Sequence, residues 1–476
     1  MTTPSAVSAV ARMLDGGPGI LLPRERSGAI RTFGPDAYDP AGTPRPMPSL
    51  VLFTSGSTGP PKGVALSRDA LVASARATED LLSGPGRWHL CLPVNHIAGL
   101  QVVLRALLAG APPTVASPAP GGGAGFDPSR FAEDLGRTLA AAGDDPVYTS
   151  LVPTQLTRVL RRPSSAEVLA RTSAVLLGGA SISPRLLETA AKAGVPIVRT
   201  YGMSETAGGC VYDGLPFPDV DVRIAGDGRI VLAGPVLADG YVGVAAAPEA
   251  PRRGTVAEAP VTLTAIPHPP APPGVLADGP AGDLTDAPRE DSTAVGLAGG
   301  FHGEGADRAL VTSDLGRWED PATRGHRGQA RSAHGGVDRR PRLDVLGRAD
   351  DVIVTGGENV SPHEVETALL PVAEPLGYAE VLVTARADEE WGEVLVALLV
   401  PAGPSASGSS AAAQRPVPAP QAVLESLTSG LRSRGITGPR VPRYAIEVAA
   451  LPVRSIGKPD RAAARALGAA VPPADG

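Results

Sequence analysis

From about residue 50 to 205, uninterrupted apolar runs alternate with amphipathic stretches rich in Ala, Leu and Arg. Runs such as Leu50-Val-Leu-Phe53 and Ala174-Val-Leu-Leu177 hold no polar residue, so strands built from them need burial on both faces. Such strands alternating with helices predict an α/β domain with a largely parallel sheet. The helical partners are Asp69 to Leu82 and a segment after Pro184. Val220 to Ile224 and Arg229 to Leu232 flank Ala225-Gly-Asp-Gly228 and predict a hairpin, so the architecture turns toward antiparallel strands there. A new pattern begins after Arg348, with a strand at Asp351-Val-Ile-Val354, a helix from about Ser361, and strands at Val381-Leu-Val383 and Val394 to Val400. This reads as a small α+β C-terminal domain over residues 348–476, behind a large N-terminal α/β domain over 1–347.

The 476 residues include 58 glycines and 51 prolines. Much of that excess lies in residues 244–300 and 401–420, with a milder Gly, Arg and His-rich stretch at 321–342. Such composition buries too little apolar area to offset chain entropy, so all three are expected to be mobile surface insertions. Across the whole chain 43% of residues are apolar and can fill a core, though with only 3% aromatics its volume must come from Ala, Leu and Val. A net charge of −6 lacks the basic footprint of a nucleic-acid binder. Two distant cysteines, Cys91 and Cys210, suit a reducing cytoplasm better than a disulfide framework. The N-terminus does not read as a signal peptide, because Arg12 and Asp15 interrupt it. The best membrane candidate, Ile97 to Leu108, is too short and contains Arg105. A soluble cytoplasmic protein is expected.

The sharpest chemical signal is Thr54-Ser-Gly-Ser-Thr-Gly-Pro-Pro-Lys-Gly63, which follows an apolar run and precedes a helix-like segment. Its hydroxyls and backbone amides can wrap phosphate oxygens, and Lys62 adds a cation. It is not a Walker A loop, since Pro61 and Gly63 flank Lys62. Further along stand Tyr201-Gly-Met-Ser-Glu-Thr206, Thr312-Ser-Asp314, Gly347-Arg-Ala-Asp-Asp-Val-Ile-Val-Thr-Gly-Gly-Glu-Asn-Val360 and Ser455-Ile-Gly-Lys-Pro-Asp-Arg461. These five segments, in this order, resemble the signatures of the adenylate-forming superfamily of acyl-CoA synthetases, luciferases and peptide-synthetase adenylation domains. Ser313 departs from the pattern, which has glycine there.

The resemblance implies that a carboxylate attacks the α-phosphate of ATP to give acyl-AMP and pyrophosphate, after which the CoA thiol displaces AMP. Catalysis of that kind is positioning and electrostatics. Thr54, Ser55, Gly56, Ser57, Thr58 and Gly59 would cradle phosphate together with Lys62. Glu205 would bind Mg²⁺, Thr206 would contact the α-phosphate, and Tyr201 and Gly202 would border adenine. Asp314, reinforced by Arg348, would hold the ribose. Lys458 would meet the reacting carboxylate and the α-phosphate. Asp350 would be the hinge about which the C-terminal domain swings, bringing Gly356, Gly357 and Glu358 to the CoA channel.

His96-Ile-Ala-Gly-Leu-Gln-Val, Leu177-Gly-Gly-Ala180 and the continuation through Gly214 look most like the o-succinylbenzoate-CoA ligase family of menaquinone biosynthesis, in its short actinobacterial form. Its substrate keeps a second carboxylate. By resemblance Arg105, nine positions after His96, would hold that group, while His96, Gly179, Ala180 and Ser204 would line the aryl pocket. On residue chemistry alone, snorkelling to water is the commoner fate of a lone Arg in an apolar stretch. About fifty residues precede the phosphate loop, fewer than the family carries, so part of the N-terminal subdomain is expected to be missing, with a homodimer covering the exposed face. The runner-up is another aryl- or acyl-CoA ligase, or an enzyme passing its acyl group to a carrier protein. A serine hydrolase is the remote rival, because Gly202-Met-Ser-Glu-Thr206 misses the nucleophile elbow only at its last residue.

Overall fold

The apolar runs of the sequence become inner strands of two seven-stranded sheets, Ala174–Gly178 in the first and Leu50–Phe53 in the second. In a computed structural model of the chain, which describes residues 3–24, 28–39, 46–53, 62–117, 126–244, 261–267, 290–291, 300–303, 308–319, 340–402, 416–453 and 459–470, the first sheet runs Leu215–Pro216, Gly208–Tyr212, Ile197–Met203, Ala174–Gly178, Val147–Leu151, Arg87–Leu90, Thr114–Val115. Pairing is parallel from Ile197–Met203 onward and antiparallel on its other side. Val147–Leu151 and Ala174–Gly178 are buried along their whole length, as unbroken apolar strands require.

The helices that accompany this sheet start on legible caps. Ser67 accepts a bond from the Ala70 amide at 3.2 Å to open Arg68–Leu81, and Asp127 accepts from Ser129 and Arg130 to open Pro128–Ala142. Ile97–Leu108 packs against Arg68–Leu81, Arg87–Leu90 and Gly208–Tyr212. Its Leu100, Val103 and Leu104 are 0% exposed, each contributing roughly 1.5–3 kcal/mol through burial. Gly99 lets the preceding loop lie on that helix: a Cβ there would stand 2.2 Å from the Pro93 carbonyl oxygen.

A second sheet runs Arg31–Phe33, Gly19–Leu21, Leu50–Phe53, Gly63–Leu66, Gly240–Val244, Leu263–Ala265, Tyr38–Asp39. Phe53 pairs with Gly63 in antiparallel register. The hydroxyl-rich segment therefore joins two neighbouring strands, and the helix begins only at Arg68. This corrects the expected strand-to-helix connection and leaves the segment without a helix N-terminus. Within 244–300, expected as a mobile surface insertion, the sheet takes in one short strand that is buried rather than on the surface. Val261, Leu263 and Ala265 are at most 4% exposed, and Leu263–Ala265 pairs with Gly240–Val244 and with Tyr38–Asp39. Alternate apolar residues at 261, 263 and 265 are enough to seat one strand inside a Pro/Gly-rich stretch.

The third sheet holds the expected hairpin, Asp221–Ala225 on Arg229–Ala233, with Ala309–Glu319 beside it. The chain divides into two compact units; the second comprises Ala180–Leu186, Ser313–Arg317 and Val345–Gly476. Within that second unit, Tyr378–Asp388, Gly392–Pro401, Tyr444–Glu447 and Val417–Pro418 form one sheet, and Ile353–Thr355 pairs with Glu358–Val360. Helices Pro362–Ala373, Gln421–Arg432 and Arg461–Ala470 accompany them. Val365, Leu369, Leu395, Leu399 and Leu431, all 0% exposed, make its core. Among the described residues no helix is long and apolar enough to cross a membrane. Cys210 is buried in Gly208–Tyr212, and burial pushes its thiol up to about 12. Cys91 is half-buried, but its sulfur is enclosed, donates to the Ser150 carbonyl at 3.2 Å and is likewise pushed up to about 12.

Candidate active site

Tyr201, Gly202, Ser204, Glu205 and Thr206 gather where Ile197–Met203 turns back into Gly208–Tyr212. A register shift falls between Tyr201 and Gly202, and Gly202 faces Gly209. A Cβ on Gly202 would stand 2.0 Å from the Gly208 carbonyl oxygen, so only glycine fits that crossing. Ser204–Thr206 forms one 3₁₀ turn, closed by Ala207 in the left-handed region at φ 50°. A strand follows that turn, whereas the nucleophile elbow of a serine hydrolase needs a helix there.

The Thr206 side chain is completely buried and serves its own turn. Its Oγ1 accepts from the Met203 amide at 2.9 Å and donates to the Gly208 carbonyl at 2.7 Å. A phosphate oxygen could take that proton only by displacing Gly208. Glu205 is half-buried; its backbone carbonyl accepts from the Ala238 amide at 2.8 Å. Its Oε1 accepts from the Tyr241 hydroxyl at 3.2 Å. Burial and the adjoining carboxylate both hold the Tyr241 hydroxyl well above its ordinary range, so it remains a donor. The exposed Lys62 ammonium lies 5.6 Å from the centroid of the same ring, within cation–π reach. Tyr241 thus links Lys62 and Glu205, two residues 143 positions apart in the chain.

Mg²⁺ shared with phosphates keeps most of its waters and takes one or two protein carboxylates. Glu205 is a half-buried carboxylate of the kind such a cation takes, and among the described residues no group of three or more His, Cys, Asp or Glu forms an all-protein cage. The residues fit a cation carried with a nucleotide.

His96 is half-buried and stands at the N-cap of Ile97–Leu108, with its carbonyl accepting from the Leu100 amide. Gly179 is exposed just beyond the C-terminal end of Ala174–Gly178, at φ +79°. Arg105 is 3% exposed, so the snorkelling expectation fails. Its Nη2 donates to the Tyr212 hydroxyl at 3.3 Å, and its guanidinium lies 5.3 Å from the Trp88 ring centroid. Tyr212 also shares a 3.0 Å hydrogen bond with Thr78. These residues form a buried polar seam between two helices and the sheet.

Within the second unit, Ala180 is half-buried. Arg348 joins Asp314 at 3.7 Å and Asp350 at 2.6 Å. Burial opposes its charge, but the carboxylates of Asp350, Asp314 and Asp351 outweigh burial and hold its pKa above the ordinary value. Gly356 and Gly357, at φ +55° and +81°, form the two-residue turn between Thr355 and Glu358. Glu358 is exposed. Thr54, Ser55, Gly56, Ser57, Thr58, Gly59 and Lys458 lie outside the described residues.

Two residues received no role in the sequence reading. Tyr241 carries no signature of its own beyond belonging to one of seven tyrosines in a chain poor in aromatics. Gln101 interrupts the same apolar stretch as Arg105, and that interruption was the available signal.

The AMP-binding enzyme family matches over residues 20–242. Over 415 residues the chain is 36% identical to the "Probable 2-succinylbenzoate--CoA ligase" of Mycobacterium tuberculosis (strain H37Rv), covering 87% of this chain and 83% of that protein. Its fold is similar to that of o-succinylbenzoate CoA synthetase (MenE) from Bacillus subtilis in complex with the acyl-adenylate intermediate OSB-AMP, at TM-score 0.54 and 23% identity, over 87% of this chain and 68% of that one. It is also similar to that of ATP-bound MatB from Rhodopseudomonas palustris, at TM-score 0.58 and 20% identity, over 89% and 69%. Order of motifs, fold and identity agree: the chain belongs to the AMP-binding enzymes, in the family of the mycobacterial 2-succinylbenzoate–CoA ligase.

Proposed function

We propose that the chain is an ATP-dependent acid–thiol ligase, converting o-succinylbenzoate, ATP and CoA to o-succinylbenzoyl-CoA, AMP and pyrophosphate in menaquinone biosynthesis. The Lys62–Tyr241–Glu205 cluster carries the reaction class, because one half-buried tyrosine has an ammonium at its ring and a carboxylate at its hydroxyl. In the first step a carboxylate oxygen of the acid attacks the α-phosphorus and the bond to pyrophosphate breaks. Glu205 would hold Mg²⁺, which supplies charge neutralisation on the phosphates when bound. Lys62 offsets charge on the leaving pyrophosphate, and residues 54–59 cradle it. Tyr201 stacks on adenine, with Gly202 leaving room beside it, and Asp314 with Arg348 takes the ribose. Lys458 orients the attacking carboxylate. In the second step the CoA sulfur attacks the acyl carbon and AMP leaves; Gly356, Gly357 and Glu358 would border that channel, with Asp350 as hinge.

His96, Gly179, Ala180 and Ser204 are assigned to the acid pocket. For Arg105, burial, the Tyr212 bond and the Trp88 face support a cation bracing that pocket's wall, with direct capture of the second carboxylate as the rival. Cysteine usage supports a cytoplasmic enzyme, and a homodimer is the assembly to look for by sedimentation.

A pyrophosphate-release screen over carboxylic acids tests the reading. o-Succinylbenzoate should react far faster than benzoate or medium and long fatty acids. Lys458→Ala should abolish that release while retaining thioester formation from supplied acyl-AMP. Turnover of fatty acids alone would sink the substrate assignment, and equal loss of both half-reactions would sink the role of Lys458.

A further inference from the structure

Gln101 sits in the middle of Ile97–Leu108, 1% exposed, between Leu100 and Val102. An amide at such a position costs roughly 1–3 kcal/mol unless its protons are bonded. Both are: Nε2 donates to the Ala207 carbonyl at 2.6 Å and to the Leu71 carbonyl at 3.3 Å. Because both neighbours are acceptors, the orientation of the amide is set. Its Oε1 is buried and finds no partner among the described residues. A hydrophobic side chain would avoid that orphaned oxygen, so the amide's placement needs another reason.

The reason lies at Ala207. This residue directly follows Thr206, closes the Ser204–Thr206 turn, and holds φ 50° without being glycine. That conformation costs about 1–2 kcal/mol for an L-residue and persists only where surrounding contacts over-determine it. Gly208 follows at φ +117°, and a Cβ on it would stand 3.0 Å from Gln101 Cγ and 3.5 Å from Ser74 Oγ. The side chain thus reaches the turn through the gap that Gly208 leaves. Five residues before Gln101 on the same helix is the N-cap His96, about 7.5 Å away along the axis.

We infer that Gln101 is a positioning residue for adenylation: it clamps the left-handed Ala207 and so holds Glu205 and Thr206 in register, on the helix whose first turn carries His96. This rests on the ligase reading above. It adds that the acid side and the nucleotide side share one rigid helix, with the amide as the link between them. Loss of the clamp lets the turn relax while the helix and sheet stay packed, so Glu205 and the turn that carries it move by a fraction of an ångström to an ångström. A misplacement of that size slows chemistry by up to about 10²-fold.

The test times two half-reactions separately in the full chain: pyrophosphate release from ATP and acid, and thioester formation from supplied acyl-AMP. Gln101→Leu should slow the first by about 10- to 100-fold and leave the second nearly unchanged. Equal slowing of both would mean that the residue only packs, and would overturn the proposal. Gln101→Glu should match Gln101→Leu at pH 8 and recover adenylation at pH 6, where the protonated carboxyl can again donate to Ala207. A ratio of half-reactions that ignores pH would also overturn it. Should Gln101→Leu fail to fold, the glutamate series decides; failure of both to fold at pH 6 would reduce Gln101 to core packing. ATP titration by calorimetry needs no acid and separates the two ideas. Weaker ATP binding by Gln101→Leu, with a wild type inactive on o-succinylbenzoate, would remove the substrate reading and keep the clamp. Wild-type turnover with an unchanged ratio in both variants would do the reverse.

Discussion

Arg105 shows how an apolar helix can carry a charge inward. Its guanidinium lies over Trp88, bonds Tyr212 and faces Glu79 electrostatically. Burial raises the Glu79 carboxyl and Arg105 opposes that rise, while Glu79 Oε1 is buried with no hydrogen-bond partner among the described residues. Arg105→Ala should therefore leave a carboxylate and a tyrosine hydroxyl without their cation, costing about 3 kcal/mol in urea unfolding. If Arg105 braces the wall, apparent affinity should fall alike for acids with and without a second carboxylate. A loss confined to o-succinylbenzoate would restore direct capture. The exceptional position was legible in the sequence, but its outcome was not. Trp88 and Tyr212 approach only through the sheet, and Tyr212 stands more than a hundred residues away. Tyr241 and Gln101 were hidden for the same reason: each acts on a partner distant in the chain.

At the scale of elements, apolar patterning placed the strands and helices it singled out, because local burial decides them. Pro362–Ala373 and Gly392–Pro401 lie where patterning puts them. Connections were harder: the four-residue strand Gly63–Leu66 is too short to stand out between a polar loop and a helix. The Ile353–Val360 hairpin offers a sharper case, since its two turn glycines are not equivalent. Both need positive φ, as a two-residue type I′ turn demands. A Cβ on Gly356 would also stand 2.5 Å from the Trp391 ring, whereas one on Gly357 meets nothing within 4 Å among the described residues. Gly357→Ala should cost about 1 kcal/mol, and Gly356→Ala clearly more, through the added clash. Denaturant midpoints measure the difference, and equal values would show that Trp391 yields without strain.

For the whole molecule, acid stability should turn on His89. It is 0% exposed, with Nδ1 3.0 Å from Thr114 Oγ1 and Nε2 unpartnered among the described residues. Burial lowers its pKa from 6.5 to about 4, with Asp134 opposing and Arg137 adding to the fall. The folded state refuses a proton that the unfolded chain accepts. Stability is therefore full above pH 6.5 and declines as pH drops toward 4, by about 3 kcal/mol in all. Urea unfolding at pH 7, 5.5 and 4.5 should show this slope, flattened in His89→Asn; an equal slope in that variant would place the titration elsewhere. The α/β class was visible in sequence, whereas the strand Leu263–Ala265 was masked by its Pro/Gly surroundings. The two cysteines carry a consequence of another kind. A ligase for CoA works in a pool of free thiol and its disulfides, and a surface thiolate there would exchange into mixed disulfides with the substrate itself. With Cys91 and Cys210 both held as thiols, this catalyst is built to be chemically deaf to the oxidation state of the coenzyme it loads.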